Sequence, residues 1–64
     1  MFYKWIGQFS NGDETHIVTL KMHVTSRRYA DEIISDKVAN MVESGFNFLS
    51  GTLFRTDKDY RPMR

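Results

Sequence analysis

The chain has 64 residues, nine lysines and arginines against eight aspartates and glutamates, a net charge of +1, and no cysteine. A chain of this length forms one domain and buries only about 60% of the surface that its unfolded form exposes. The lack of cysteine excludes disulfides and thiolate metal sites, and no apolar run reaches the roughly 18 residues that span a bilayer. Met1 is followed at once by strand-like residues, and the N-terminus lacks the charged and apolar regions of a secretory signal. We therefore expect a complete small gene product in the cytoplasm.

The first two predicted elements are strands joined by a tight turn. Residues 2–10 are rich in aromatic and β-branched side chains, and residues 14–24 alternate between apolar and polar types. Asn11-Gly12 favours a hairpin turn, because both residues tolerate positive φ. A two-residue loop there places Trp5 opposite Val18, whereas a four-residue loop shifts the register by two positions. Both registers bring the apolar side chains of the two strands to one face, which predicts a hairpin.

A helix is predicted next, with Thr25 or Ser26 as its N-cap and Gly45 ending it in the left-handed conformation. Its apolar residues recur at helical spacing and form one stripe: Ala30, Ile33, Ile34, Val38, Met41 and Val42. We expect this stripe to pack on the apolar face of the hairpin.

The sequence after the helix predicts a third strand with an irregularity. Apolar side chains change parity within residues 46–55, and Gly51 marks either a β-bulge or a turn between two shorter strands. We favour the bulge. Residues 56–64 are polar and contain Pro62, a composition that predicts a mobile C-terminal tail.

Taken in order, these elements predict a single α+β domain over residues 1–55 with the plan β-β-α-β. The crossover from the second to the third strand places the third strand beside the first. The result is a three-stranded antiparallel sheet of order 3-1-2 with one helix packed on one face. The opposite face stays open, and we expect it to display Phe2, Ile6, Ile17 and Leu53 among polar side chains.

This topology separates the charges along the molecule. The first strand begins at the end where the second strand stops, the helix begins and the third strand finishes. Eight basic residues meet four acidic ones there, a net charge of +4: Lys4, Lys21, Arg27, Arg28, Arg55, Lys58, Arg61 and Arg64 against Asp31, Glu32, Asp57 and Asp59. The other end has a net charge of −3, from Lys37 against Asp13, Glu14, Asp36 and Glu43. A surface of this polarity steers encounters with anionic partners.

Two adjacent arginines at the helix start are the most specific feature of the basic end. Cations there oppose the helix dipole, which indicates a binding role, unless Asp31 and Glu32 simply compensate them at helical spacing. We predict that the partner-binding residues are Lys4, Lys21, Arg27, Arg28, Arg55 and Arg61.

No pattern in the chain predicts catalysis, a cofactor or a metal. His16 and His23 fall on opposite strand faces, about 23 Å apart along a strand, so they cannot share a metal ion. No serine has an evident histidine partner, and the glycines form no phosphate-binding loop. Trp5 can stack on a nucleic-acid base, but the alternation of the strand puts it on the same face as Tyr3 and Phe9, which favours a place in the core. We therefore expect a protein that is not an enzyme.

The order of elements, the length, Gly45-Phe46 after the helix and Arg55 late in the third strand resemble the small RNA-polymerase-inhibitor protein of short-tailed bacteriophages. The likeness covers most of residues 2–55 as a plan and not as a sequence motif. That family binds a host enzyme through charged surface residues. The resemblance implies an inhibitor or modulator of a host machine such as RNA polymerase, acting in the host cytoplasm, with Arg55 as a contact. The chain departs from the family in its aromatic first strand, Arg27-Arg28 and basic tail.

The first hypothesis is a protein-binding module that docks a larger partner with an acidic surface through the basic end and the open sheet face. A sheet edge can also pair with that partner. The alternative is a small nucleic-acid-binding protein, which the low net charge disfavours. The third is a homodimer that buries the open sheet face. No partner in a membrane is expected.

Overall fold

The computed structural model describes residues 1–63 and contains the predicted elements in the predicted order. β1 spans Phe2–Asn11, β2 spans Glu14–His23, α1 spans Arg27–Glu43 and β3 spans Asn47–Thr56. The strands form one antiparallel sheet in the order β2-β1-β3, which confirms the α+β class and the sheet order 3-1-2. Within the described residues, α1 falls short of the length and apolarity that a membrane-crossing helix needs.

The β1–β2 hairpin adopts the second of the two predicted registers. Trp5 pairs with Leu20 and not with Val18. The turn is Gly12-Asp13, so the prediction of a loop at Asn11-Gly12 is wrong by one residue. Gly12 has φ 66°, and a glycine at the first central position is typical of a type II′ turn, whose twist matches that of the strands. That turn needs positive φ at one residue only, so Asn11 stays in the strand.

The end of α1 is a Schellman motif. Gly45 has φ 98°, its N–H donates to the Val42 carbonyl at 3.0 Å, and the Phe46 N–H donates to the Met41 carbonyl at 3.1 Å. Phe46 and Met41, the two positions that are often apolar in this motif, both pack against the core. At the other end, Ser26 is the N-cap residue but makes no side-chain capping hydrogen bond. The helix stop is therefore better specified than its start.

The core lies between α1 and one face of the sheet. Its buried apolar residues are Tyr3, Trp5 and Phe9 of β1, Met22 of β2 and Ala30 of α1. Complete burial of a side chain such as Phe9 stabilises the fold by about 2 kcal/mol. Ile33 and Val42 of the predicted helical stripe remain 42% and 50% exposed. The helix therefore covers only part of the apolar surface that the sequence pattern assigns to it.

The Trp5 indole lies across a pair of glycines on neighbouring strands. Gly7 of β1 pairs directly with Gly51 of β3. A Cβ atom added to Gly51 would lie 2.7 Å from Cζ2 and Nε1 of Trp5, closer than a real Cβ approaches another heavy atom. Both glycines are required because the indole occupies the space where their side chains would be. Gly51 is a regular strand residue, so the prediction of a bulge at this position is wrong.

A β-bulge does interrupt β3, two residues before Gly51. Gln8 pairs with Ser50 while Phe9 pairs with Phe48, so Leu49 is the extra residue. The bulge changes the parity of the strand at that point.

The parity of β3 after the bulge decides which of its side chains face the helix. Leu53 pairs with Trp5 and packs against the core. The expectation that Leu53 lies on the open face is therefore wrong, and Phe54, the partner of Lys4, lies there. We call the sheet face opposite α1 the open face; its members include Phe2, Lys4, Ile6, Gln8, Ile17, Thr19, Lys21, His23, Thr52 and Phe54.

Candidate functional site: the basic end of the sheet

The structure divides the predicted partner-binding residues between different surfaces of the basic end. Lys4 and Lys21 lie on the open face, where they pair with each other. Arg55 pairs with Tyr3, a core residue, and therefore lies on the helix-covered side of the sheet. These three cations share one end of the molecule, but a partner lying flat on the open face would contact only the two lysines.

The arginines at the helix start belong to the helix side as well. Arg28 Nε lies 3.9 Å from Glu32 Oε1 at i,i+4 spacing, with 88% and 61% of the two side chains exposed. A pair this exposed contributes little to stability, yet it supports the compensation that the sequence suggested as the alternative for Arg28. Arg27 forms no ion pair within residues 1–63. Arg61 lies beyond β3, in the segment that folds back on the sheet.

Lys4 and Lys21 form the most unusual charge arrangement in the structure. They are directly opposite on adjacent strands, where Cβ atoms lie about 5 Å apart and like charges are destabilising. Neither lysine forms an ion pair with a carboxylate within the described residues. Two lysines that extend from opposite positions of one face, without an ion-pair partner among the described residues, make this part of the face attractive to an anion.

An aromatic cluster, defined as Phe2, His23 and Tyr60, lies next to this lysine pair. The Phe2 and His23 rings are stacked, with centroids 4.1 Å apart and planes 5° from parallel. Tyr60 meets Phe2 edge-on at 5.6 Å, and Lys21 Nζ lies 5.8 Å from the centre of the Tyr60 ring. That distance allows a cation–π interaction. One of the two lysines, Lys21, therefore contacts the aromatic cluster.

Tyr60 reaches the open face because residues 57–63 turn back on the strand. The Asp57 carboxylate oxygen Oδ1 accepts hydrogen bonds from the backbone N–H groups of Asp59 at 2.9 Å and Arg61 at 3.0 Å. The Asp57 N–H donates to the Arg61 carbonyl, and Pro62 forms a bridge with the buried Thr56. The mobility expected for residues 56–64 stays a prediction. Arg64 lies outside the described residues.

The backbone of Tyr60 is itself strained. Its φ of 60° is in the left-handed region, which residues other than glycine seldom adopt and which costs about 1 kcal/mol or more. The Tyr60 N–H donates to the Asp57 carbonyl at 3.0 Å, so the turn maintains this conformation. Such strain is often found where a side chain has to be presented in one direction.

Tyr60 and His23 are the members of this site that sequence reasoning missed. The spacing of Asp57 and Asp59 before Tyr60 resembles an Asx-turn and predicts a turn in the tail. No sequence signal predicts that this turn brings Tyr60 onto Phe2, because that contact depends on the direction in which β3 ends.

The charge map needs one correction. Asp36 and Lys37 lie in the middle of α1, and Asp36 lines a groove with Val24 and Thr25. The sequence-based assignment of both residues to the acidic end is wrong. That end retains three acidic residues, Asp13, Glu14 and Glu43, and a charge of −3. The basic end carries seven basic against four acidic residues within residues 1–63, a charge of +3.

The histidines lie as the strand pattern predicted, on opposite faces of β2. His16 packs edge-on against Phe46 at 5.0 Å on the helix side, and its Nε2 lies 3.5 Å from Glu14 Oε2. His23 is on the open face. Within residues 1–63 there is no group of three or more histidine, aspartate or glutamate side chains that could hold a metal ion.

Comparisons of the chain with protein-family models, with curated proteins and with solved structures find no match. The basic end therefore has to be interpreted from its own chemistry.

Proposed function

We propose that this protein is a small, non-enzymatic protein-binding module of phage-like type. It docks the acidic surface of a larger protein through its basic end and open face, and in doing so inhibits or modulates that protein. The observation that carries this proposal is the Lys4–Lys21 pair: the two lysines are directly opposite on adjacent strands, and neither forms an ion pair within residues 1–63.

The lysine pair supports binding because an external anion would remove an unfavourable interaction. Directly opposed like charges destabilise a sheet. A carboxylate of a partner placed between Lys4 and Lys21 would interact with both and would relieve their repulsion. The same charges speed up the encounter with an acidic surface, with an effect that weakens as salt is added.

The aromatic cluster favours a protein over a nucleic acid as the partner. Single-stranded nucleic acids bind by stacking their bases on free aromatic faces. One face of Phe2 is already covered by His23, and Tyr60 interacts with both Phe2 and Lys21. What the open face offers instead is aliphatic surface, including Ile17, which is 66% exposed. Apolar side chains flanked by cations are typical of protein interfaces.

The resemblance to the RNA-polymerase-inhibitor proteins of short-tailed phages suggests the class of partner. A host enzyme such as bacterial RNA polymerase is therefore the first candidate, and the host cytoplasm is the compartment that we propose. The resemblance points to Arg55, whereas the geometry points to Lys4 and Lys21. The two suggestions can be separated by mutation because Arg55 lies on the other side of the sheet.

The test is the affinity of the purified protein for bacterial RNA polymerase, compared between wild type, Lys21→Glu, Arg55→Glu and Lys37→Glu. Lys37 lies in the middle of α1, remote from the open face, so Lys37→Glu is a matched control for reversing one charge. We expect Lys21→Glu to weaken binding at least about tenfold, as loss of an interfacial charge pair does, and Lys37→Glu to have little effect. If RNA polymerase does not bind, the same variants are compared in a capture from bacterial lysate treated with nuclease.

A labelled single-stranded oligonucleotide provides the second arm. Binding that falls steeply with salt and that Lys21→Glu abolishes would replace the protein partner with a nucleic acid. A nuclease-resistant partner that binds wild type and Lys21→Glu equally would refute the role of the lysine pair.

A further inference from the structure

We propose that the β3 strands of two copies of this chain pair antiparallel, which joins their sheets into one sheet of six strands. This surface is distinct from the open face. β3 is at one edge of the sheet, because the order is β2-β1-β3. Pro62 pairs with Thr56 at the end of this edge. From Asn47 to Phe54 the outer backbone N–H and C=O groups have no strand beside them within the described residues, and such an edge can accept another strand.

The composition of β3 is unusual for an edge strand. From Asn47 to Phe54 the strand has no charged residue and no proline, although these are the residues that protect natural sheet edges from pairing. β2, the opposite edge, contains Glu14 and Lys21. The uncharged stretch of β3 is eight residues long, whereas that of β2, from Thr15 to Leu20, has six residues and is bounded by a charge at each end.

Apolar side chains next to this edge are left uncovered. Phe48 is 44% exposed, Leu49 is 53% exposed and Val42 of α1 is 50% exposed. Phe48 and Val42 line a groove of about 550 Å³ between α1 and β3, together with Trp5, Ile34, Val38 and Gly51. A neighbouring strand on the β3 edge would bring side chains over this groove and remove its apolar lining from water.

Charge complementarity identifies the occupant as a second copy. β3 runs from the acidic end of the molecule, after α1, to the basic end, where Arg55 lies. An antiparallel β3–β3 contact therefore places the basic end of each copy, with a charge of +3 within residues 1–63, beside the acidic end of the other, with a charge of −3. The uncharged middle of β3 keeps like charges away from the two-fold axis. Such a two-fold contact closes on itself and forms a dimer.

The pattern of side chains places the axis close to Thr52. With Thr52 opposite its own copy, Gly51 of one chain faces Leu53 of the other. Gly51 has no side chain of its own above Trp5, so the leucine would fill the open side of the groove. Thr52 itself is exposed and lies on the open face, where a substitution does not disturb the core.

The first experiment is sedimentation equilibrium of the full chain up to about 1 mM, which covers weak self-association. Wild type is compared with Thr52→Lys and Thr19→Lys. Both threonines are exposed and both flank Ile6, one on each edge of the sheet, so the second variant is a matched control. We expect a dimer whose Kd rises at least about tenfold in Thr52→Lys, which brings two lysines together, and stays unchanged in Thr19→Lys.

The second experiment uses disulfide formation and does not depend on a lysine at the interface. The chain has no cysteine of its own, so Thr52→Cys and Thr19→Cys each introduce a single thiol. Residues directly opposite on paired strands are close enough for a disulfide. Mild oxidation should therefore cross-link Thr52→Cys much faster than Thr19→Cys, and denaturant should remove the difference. A wild-type chain that stays monomeric throughout, or equal cross-linking of the two variants, would overturn the proposal.

Discussion

The two edges of this sheet have the same length but are stabilised in different ways. β2 packs on the core with its own side chains: Met22 is buried, and Val18 and Leu20 are half-buried. β3 contributes the half-buried Leu53 and Phe48, whose ring lies 5.4 Å from that of Phe9 but stays 44% exposed. At Gly51 the space next to the sheet is occupied by Trp5 of the neighbouring strand. β2 therefore packs on the core through its own side chains, whereas the contact of β3 with the core depends in part on Trp5 of β1.

This difference explains the apolar groove that lies between α1 and β3. A glycine pair admits the indole but leaves no Cβ atoms to fill the space between α1 and the edge. The same arrangement makes β3 the more accessible edge and the one more dependent on a single residue. Mutations at and around the glycine pair can test both parts of this comparison.

The largest effect is expected for Trp5→Ala. Removing a buried tryptophan costs about 3–5 kcal/mol, which is a large part of the stability that a domain of this size has. The matched change on the other side is Leu20→Ala, at the half-buried partner of Trp5 on β2, and we expect it to cost less. Urea unfolding followed by circular dichroism measures both.

Hydrogen exchange adds the spatial part of this prediction. If β3 depends on Trp5, its amides lose protection in Trp5→Ala before those of β2 do. Equal loss of protection at both edges would show that the indole supports the sheet as a whole.

The second effect is that of Gly51→Val. The added side chain overlaps the Trp5 ring, so the indole has to move, at a cost of about 1–3 kcal/mol. Val18 pairs with Gly7 from the β2 side, so the opposite edge already tolerates a valine at the equivalent position. Thr52→Val, one residue further along β3 and on the open face, is the control and should stay within about 0.5 kcal/mol of wild type. A Gly51→Val protein as stable as the control would contradict the proposed role of the glycine pair.

The smallest effect is expected for Asp57→Ala, which acts at the last turn of β3. The Asp57 side chain accepts two backbone hydrogen bonds, and their loss from an exposed turn should cost about 1 kcal/mol. Asp57→Asn keeps an acceptor oxygen and should be milder. The NMR chemical shifts of Phe2 and His23 report whether Tyr60 stays on the aromatic cluster. Unchanged shifts in Asp57→Ala would mean that the ring contacts position Tyr60 without the turn.

Local sequence patterns predict much of this fold. Alternation of apolar residues defines β1 and β2, and the stripe that ends at Gly45 defines α1, because these patterns depend on side chains a few positions apart. The order 3-1-2 follows from short connections and the crossover. The polarity of the molecule follows in turn, since antiparallel strands bring the charged termini of β1, β2 and β3 to known ends.

The surface of the basic end could not be predicted in the same way. Alternation assigns a side chain to a face only until a bulge intervenes. With Leu49 as the extra residue, Leu53 lies on the core face, where the sequence had placed it on the open face. The bulge lies opposite the junction of Gln8 and Phe9, where packing across the sheet decides which residue is left over. If this one extra residue is overlooked, every later side chain of β3 is assigned to the wrong face.

The order of the elements, the end of α1 and the separation of charge are properties that local chemistry along the chain specifies. Tertiary packing alone decides that Trp5 lies over Gly7 and Gly51, that Tyr60 folds back onto Phe2, and that Lys4 and Arg55 face opposite ways. The physical reason is distance along the chain. Secondary structure depends on neighbours within one or two turns, whereas each of these features depends on groups that come together only when the three strands pair.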